Sequence, residues 1–197
     1  MIAAGAWSDQ VFERLFPKSK KLPVSSLAGH SLVVKSPRWS QEHEKKGCHA
    51  VFTTNEEGFS PEIFSRIGGE VYIAGLNDAS LALPTLPTEC KIDESSVEML
   101  KKTAKKLLGA QGDMDDLEVV RTGLCFRPVT KRGTPILGRI PDENLGNTTT
   151  RGGADGGVWL ATGHGPWGIS LSLGSGKVMA EMIQGRPISV GVSGLML

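Results

Sequence analysis

Residues 158–170 read VWLATGHGPWGIS, an order that could build a ligand site from main chain alone. Val158-Trp159-Leu160-Ala161-Thr162 is a short apolar run suited to a buried strand. Gly163-His164-Gly165-Pro166-Trp167-Gly168 fits G-x-G-x-x-G, and Ile169 to Gln184 follows with helix-like apolar spacing. Glycines let a backbone approach a ligand closely. Free N–H groups at a helix N-terminus point at electron-rich oxygens. The chemistry this predicts is recognition of an anion or a ring edge by main-chain donors. A Gly-rich strand-to-helix turn without a ligand has the same pattern, so this stretch leaves both readings open.

Two nucleotide motifs do not fit. A dinucleotide fingerprint needs a second strand after the helix and an acidic residue about 20 positions on. In this chain the helix ends near Gly185-Arg186-Pro187, and the ten residues after Pro187 contain no Asp or Glu. A phosphate loop at Gly174-Ser175-Gly176-Lys177 lacks its first glycine, since Leu171 stands there, and Val178 replaces the required Ser or Thr.

Two further segments give the turn a context. The chain opens Ala3-Ala4-Gly5-Ala6-Trp7-Ser8 and later carries Arg127-Pro128-Val129-Thr130-Lys131-Arg132-Gly133-Thr134-Pro135-Ile136-Leu137-Gly138. In this order, with Ala161-Thr162-Gly163-His164 and Gly168-Ile169 downstream, they resemble the FAD-dependent D-amino-acid oxidase superfamily, which includes glycine oxidase and sarcosine oxidase. Gly47-Cys48-His49 and Gly69-Glu70-Val71-Tyr72-Ile73-Ala74-Gly75 look most like the fungal FAD-dependent oxidoreductases of that group.

The resemblance implies FAD as cofactor and an amine or amino acid as substrate. It also implies hydride transfer from the substrate α-carbon to flavin N5. It puts Ala4, Gly5, Trp7, Gly163, His164, Gly165, Trp167, Gly168 and Ile169 beside the flavin, with the N–H groups of 167–169 facing its pyrimidine edge. The family's own G-x-G-x-x-G turn for the ADP half precedes the segment that Met1 to Gly5 resembles. The chain is therefore expected to be a C-terminal portion that binds FAD weakly or not at all. A non-catalytic fold remnant serving binding or trafficking is the alternative.

Arg127 lies near the end of a long strand, before Pro128 and after Leu124-Cys125-Phe126. A guanidinium there either pairs with an internal carboxylate or awaits a ligand carboxylate, for which its planar fork is suited. The matching position in glycine-oxidase-like proteins holds the substrate carboxylate. Tyr72 is the one tyrosine; it could hydrogen-bond a ligand or be an ordinary strand residue. His164 reads as a packed or hydrogen-bonded turn histidine, and no side chain is assigned a proton-transfer role.

Composition narrows the class. The 197 residues carry 22 basic and 21 acidic side chains, a net charge of +1. That balance gives no electrostatic support for nucleic-acid binding. A mean hydropathy of −0.11 fits a globular chain with a core. No apolar run reaches membrane-spanning length. Cys48, Cys90 and Cys125 are odd in number and lack C-x-x-C spacing, which suggests free thiols in a reducing, cytoplasmic setting and no metal.

The elements that must position these residues are readable in outline. Met1 to Ala4 is a strand remnant, and Trp7 to Phe16 a helix burying Trp7, Val11, Leu15 and Phe16, stopped by Pro17. Strands are expected at Leu27–Val34 and Ala50–Thr54. Ile63–Ile67 and Val71–Ala74 read as a hairpin through Gly68-Gly69. Leu83–Pro87 is a linker. Ser95–Leu108 is a helix with Ser95 as N-cap, Glu98 completing a capping box and Gly109 at C′. Its apolar face is Val97, Leu100, Ala104, Leu107 and Leu108. Leu117–Thr130 is a long strand, and Asn144–Gly157 a surface loop. The fold class is α/β plus α+β: the remnant of an FAD-binding domain (1–17 and 142–197) and a mostly antiparallel substrate-type domain (18–141).

Overall fold

The computed structural model describes residues 1–54, 58–110, 116–151 and 156–197. Its helices are α1 (Ser8–Leu15), α2 (Gln41–Glu44), α3 (Glu94–Leu108) and α4 (Gly168–Ile183). Its strands are β1 (Ser25–Lys35), β2 (Ala50–Phe52), β3 (Glu62–Ser65), β4 (Glu70–Asp78), β5 (Glu118–Val129), β6 (Ile136–Ile140) and β7 (Val158–Thr162). Two compact units result: residues 1–27 with 126–197, and residues 28–125. The sequence reading sets its domain boundaries at 17/18 and 141/142; these compact units are bounded at 27/28 and 125/126.

The first unit is built on a small mixed sheet. β6 and β7 pair antiparallel, Ile136 opposite Thr162 and Ile140 opposite Val158. Ile2 joins them in parallel through a single bridge to Leu160: its N–H donates to Trp159 O at 2.7 Å and its carbonyl accepts from Ala161 N at 3.0 Å. The expected strand at Met1–Ala4 is thus one bridge, held because Ile2 is buried. Alternation along β6 and β7 splits the apolar side chains between two faces. Ile136, Ile140 and Leu160 pack with Ile2, Phe12, Leu22 and Leu145, while Leu137 and Trp159 pack with Met179 of α4. A 3-10 turn over Gly5–Trp7 leads into α1, whose buried residues are Ser8 and Phe12. The expected face is corrected: Leu15 is 60% exposed and Phe12 is fully buried, because the helix starts one residue after Trp7 and turns Phe12 inward.

The second unit holds most of a five-stranded sheet of order β2-β3-β4-β1-β5. The Gly68-Gly69 hairpin forms, with Phe64 opposite Tyr72 and Ile63 opposite Ile73. β4 continues to Asp78, beyond the expected Ala74, because β1 pairs with it along that whole length, with an irregularity between His30 and Leu32. β2 stops at Phe52, short of Thr54. One face of the sheet, with Leu32, Val34, Ile63, Val71 and Ile73, packs on Leu100 and Ala104 of α3.

The start of α3 differs from expectation. Asp93 is the N-cap, and its carboxylate accepts from Ser96 N at 2.8 Å and from the hydroxyls of both Ser95 and Ser96. A carboxylate takes several donors at once, so it displaces the Ser95 hydroxyl from the cap; Glu98 pairs with Lys101 instead. Thr103 is buried where Leu107 was expected, Leu107 being 43% exposed. Gly109 ends the helix in an extended conformation, φ −66° and ψ 164°, not the left-handed one. Of the expected loop at Asn144–Gly157, residues 152–155 lie outside the described residues.

Candidate functional site

In the first unit the chain reverses direction between β7 and α4 through the glycine turn. Gly163 has φ +81° and Gly165 φ +55°. A Cβ on Gly163 would come within 2.6 Å of Thr130 Cγ2, so both conformation and space require glycine there. Residues 165–167 make a 3-10 turn that feeds directly into α4. No side chain caps α4, so the first N–H groups of a 16-residue helix have no intrahelical acceptor. They carry the positive end of its dipole.

The opening segment meets this turn. Thr162 Oγ1 donates to Gly5 O at 3.0 Å, and the Ser8 hydroxyl bridges Gly5 O (2.7 Å) and Thr162 Oγ1 (3.0 Å). Ser8 and Thr162 are both buried, so this small polar knot fixes the turn and the 3-10 segment to each other. Gly5 has φ +56°. Trp7 N donates to Ala4 O at 3.1 Å, and the Trp7 ring meets Phe126 edge-on at 6.0 Å. The residues expected beside a flavin, Ala4, Gly5, Trp7, 163–165 and 167–169, therefore lie on two connected segments of one unit.

Their side chains differ in placement. His164 Nε2 shares a hydrogen with Ser175 Oγ at 2.9 Å, and burial lowers its pKa, favouring the neutral ring. His164 and Gly168 line a cavity of about 380 Å³ together with Ala3, Ala161, Ser172 and Gly176. Its walls are mostly small residues, which leaves main chain accessible. Trp167 is 62% and Ile169 93% exposed, so those two positions can serve a ligand through backbone while their side chains lie outside the core. Leu173, one turn beyond Ile169, is 88% exposed as well. The apolar spacing of α4 thus marks a core face only from Val178 onward.

Arg127 lies in the same unit, on the last part of β5, half-buried and not free of partners. Tyr72 lies in the other unit, half-buried on β4, with the Arg66 guanidinium carbon 4.5 Å from its ring centroid. The Arg66 contact was not foreseen in the sequence; the hairpin register, which aligns 66 with 70 and 64 with 72, is the signal that could have found it. Cys48, Cys90 and Cys125 are free. Among the described residues no three His, Cys, Asp or Glu side chains could hold a metal, and no helix is long and apolar enough to cross a membrane.

An uncapped helix start, left-handed glycines before it and a small-residue cavity beside it fit the edge of a flavin ring. The profile of the FAD dependent oxidoreductase family matches residues 1–182. A D-amino acid dehydrogenase of Paramagnetospirillum magneticum is 28% identical over 179 residues, covering 91% of this chain and 35% of that protein. An oxidoreductase of Schizosaccharomyces pombe is 27% identical, over 93% of this chain and 41% of its own length. Glycine oxidase from Geobacillus kaustophilus superposes with a TM-score of 0.72 at 22% identity, over 99% of this chain and 44% of that one. Iminodiacetate oxidase from Chelativorans shares the fold at a TM-score of 0.69 and 17% identity, over 98% of this chain and 44% of that one. The chain thus spans under half the length of each of these proteins. Over 92% of its residues (182 of 197) it belongs to the FAD dependent oxidoreductase family.

Proposed function

We propose that these residues form the flavin-ring-facing and substrate-binding portion of an FAD-dependent oxidoreductase acting on amines or amino acids. The observation that carries this is the uncapped start of α4 behind Gly163 and Gly165, tied through Thr162 to Gly5. When bound, FAD supplies a two-electron acceptor for the substrate α-carbon–hydrogen bond. The N–H groups of Gly168 and Ile169 stabilise negative charge on the pyrimidine edge, as preorganised donors do without reorganising. Gly163, His164 and Gly165 flank the ring, Trp167 contributes backbone, and Ala4, Gly5 and Trp7 face it from the opening segment. Neutral His164, held by Ser175, supports the turn without moving a proton. Arg127 receives the substrate carboxylate. The three free thiols support a reducing, cytoplasmic setting.

The 197 residues contain one G-x-G-x-x-G turn, which this reading assigns to the ring. Riboflavin and FAD should therefore bind this chain with similar, weak affinity in a fluorescence titration, and ADP should not compete. FAD binding tighter than riboflavin by a hundredfold, or a stoichiometric yellow holoprotein, would place a diphosphate site within these residues and overturn the assignment.

A further inference from the structure

On the face of the second unit's sheet that points away from α3, three aromatic residues stand in a row. Phe52 of β2 meets Phe64 of β3 edge-on at 5.7 Å, and Phe64 meets Tyr72 of β4 at 6.2 Å, tilted by 42°. The pairing explains the row: Phe64 is directly opposite Tyr72, and Phe52, opposite Glu62, is its diagonal neighbour. Alternation sends Ile63, Val71 and Ile73 to the helix-covered side and these rings to the other. Phe52 is 69% exposed, whereas a ring of that size ordinarily seeks burial.

The row ends in a cation. Arg66 lies over Tyr72, its guanidinium carbon 4.5 Å from the ring centroid. Stacking occupies one face of the guanidinium and leaves its in-plane N–H groups available. Among the described residues no carboxylate forms a salt bridge with it. An aromatic ladder exposed at Phe52 and half-buried at Phe64 and Tyr72, with an oriented guanidinium at one end, complements a ligand that has a flat apolar body and a carboxylate.

We propose that Phe52, Phe64, Tyr72 and Arg66 form a recognition surface for an aromatic carboxylate. This surface stands on the ladder alone and does not depend on the proposed oxidoreductase function. Arg66 takes the carboxylate through its edge, and the ligand ring lies against Phe64 and Phe52. Tyr72 acts as the platform that orients Arg66, a use of its ring more than of its hydroxyl.

The test is a titration of the isotope-labelled 197-residue chain, followed by amide chemical shifts, with four probes: phenylacetate, phenylalanine, acetate and phenethylamine. Phenylacetate and phenylalanine should move the amides of residues 52, 64, 66 and 72 in a saturable way. Acetate lacks the ring and phenethylamine lacks the carboxylate, so neither should do so at equal concentration. Arg66→Gln should weaken phenylacetate binding roughly tenfold, the loss of a hydrogen-bonded charge, and Arg66→Lys should restore part of it. Phe52→Ala, at an exposed position, should also weaken it with the amide spectrum of the sheet retained. Equal response to phenethylamine, no response at these four positions, or no effect of Arg66→Gln overturns the proposal.

Discussion

Thr162 Oγ1 donates to Gly5 O at 3.0 Å across 157 residues of sequence, joining the end of β7 to the first turn of the chain. Thr162 is 1% and Ser8 0% exposed, so the bond lies where water cannot replace it. Thr162→Val keeps the shape and removes the hydroxyl. It should cost about 1–3 kcal/mol, the penalty of leaving buried polar groups short of a partner, read by urea denaturation. Unchanged stability would mean that the two segments are held by packing alone.

Gly163→Val should be more severe. Its φ of +81° and the 2.6 Å approach of Thr130 Cγ2 add backbone strain to a steric clash. The strain alone is about 1–3 kcal/mol. Flavin binding should fall with stability, whereas Gly174→Ala, on α4 with nothing within 4 Å of a Cβ, should leave both close to the parent values.

Asp93 sets a pH dependence for α3. The hydroxyls of Ser95 and Ser96 and the Ser96 N–H hold its carboxylate down to about 2, against an unperturbed value of about 3.9. A depressed carboxylate stabilises the fold fully above its unfolded pKa and loses that contribution as pH falls through the folded one. Asp93→Ala should therefore lower the melting temperature by a few degrees at neutral pH. The gap between variant and parent should close as pH falls from about 4 toward about 2. A constant gap over that interval contradicts the ionic cap.

Arg127 is tested in a flavin-loaded form of the protein. Arg127→Leu should reduce turnover of amino acids far more than that of the corresponding simple amines, by on the order of 2–5 kcal/mol in kcat/KM for a lost charge pair. Lys at this position should rescue only partly, since it restores the charge and not the fork. Equal losses on both substrate types would assign Arg127 a structural role.

The sequence made local features legible where one principle acts alone. Val158–Thr162 is a strand with the expected ends, because a five-residue apolar run bounded by glycine has few alternatives. The Gly68-Gly69 hairpin is likewise fixed by left-handed turn positions. The N-cap of α3 was misassigned because Asp93, Ser95 and Ser96 are all capping residues, and only their competition for donors decides among them. The return of the chain to the first unit at Phe126 was hidden, because β5 continues through 118–129 as one strand while its contacts change partner. The aromatic ladder was hidden for a related reason: Phe52, Phe64 and Tyr72 are neighbours only once the register is set. The exposure of Ile169 and Leu173 could not be read from apolar spacing, which records that a face is covered but not by what.

The central claim, that the start of α4 receives the edge of a flavin ring, is tested most directly by titrating the isotope-labelled chain with riboflavin. The amides of 163–169 and of Gly5 should shift together and saturably, and Gly163→Val should abolish the response. Shifts confined to other residues, or none at these positions at saturating riboflavin, would contradict it.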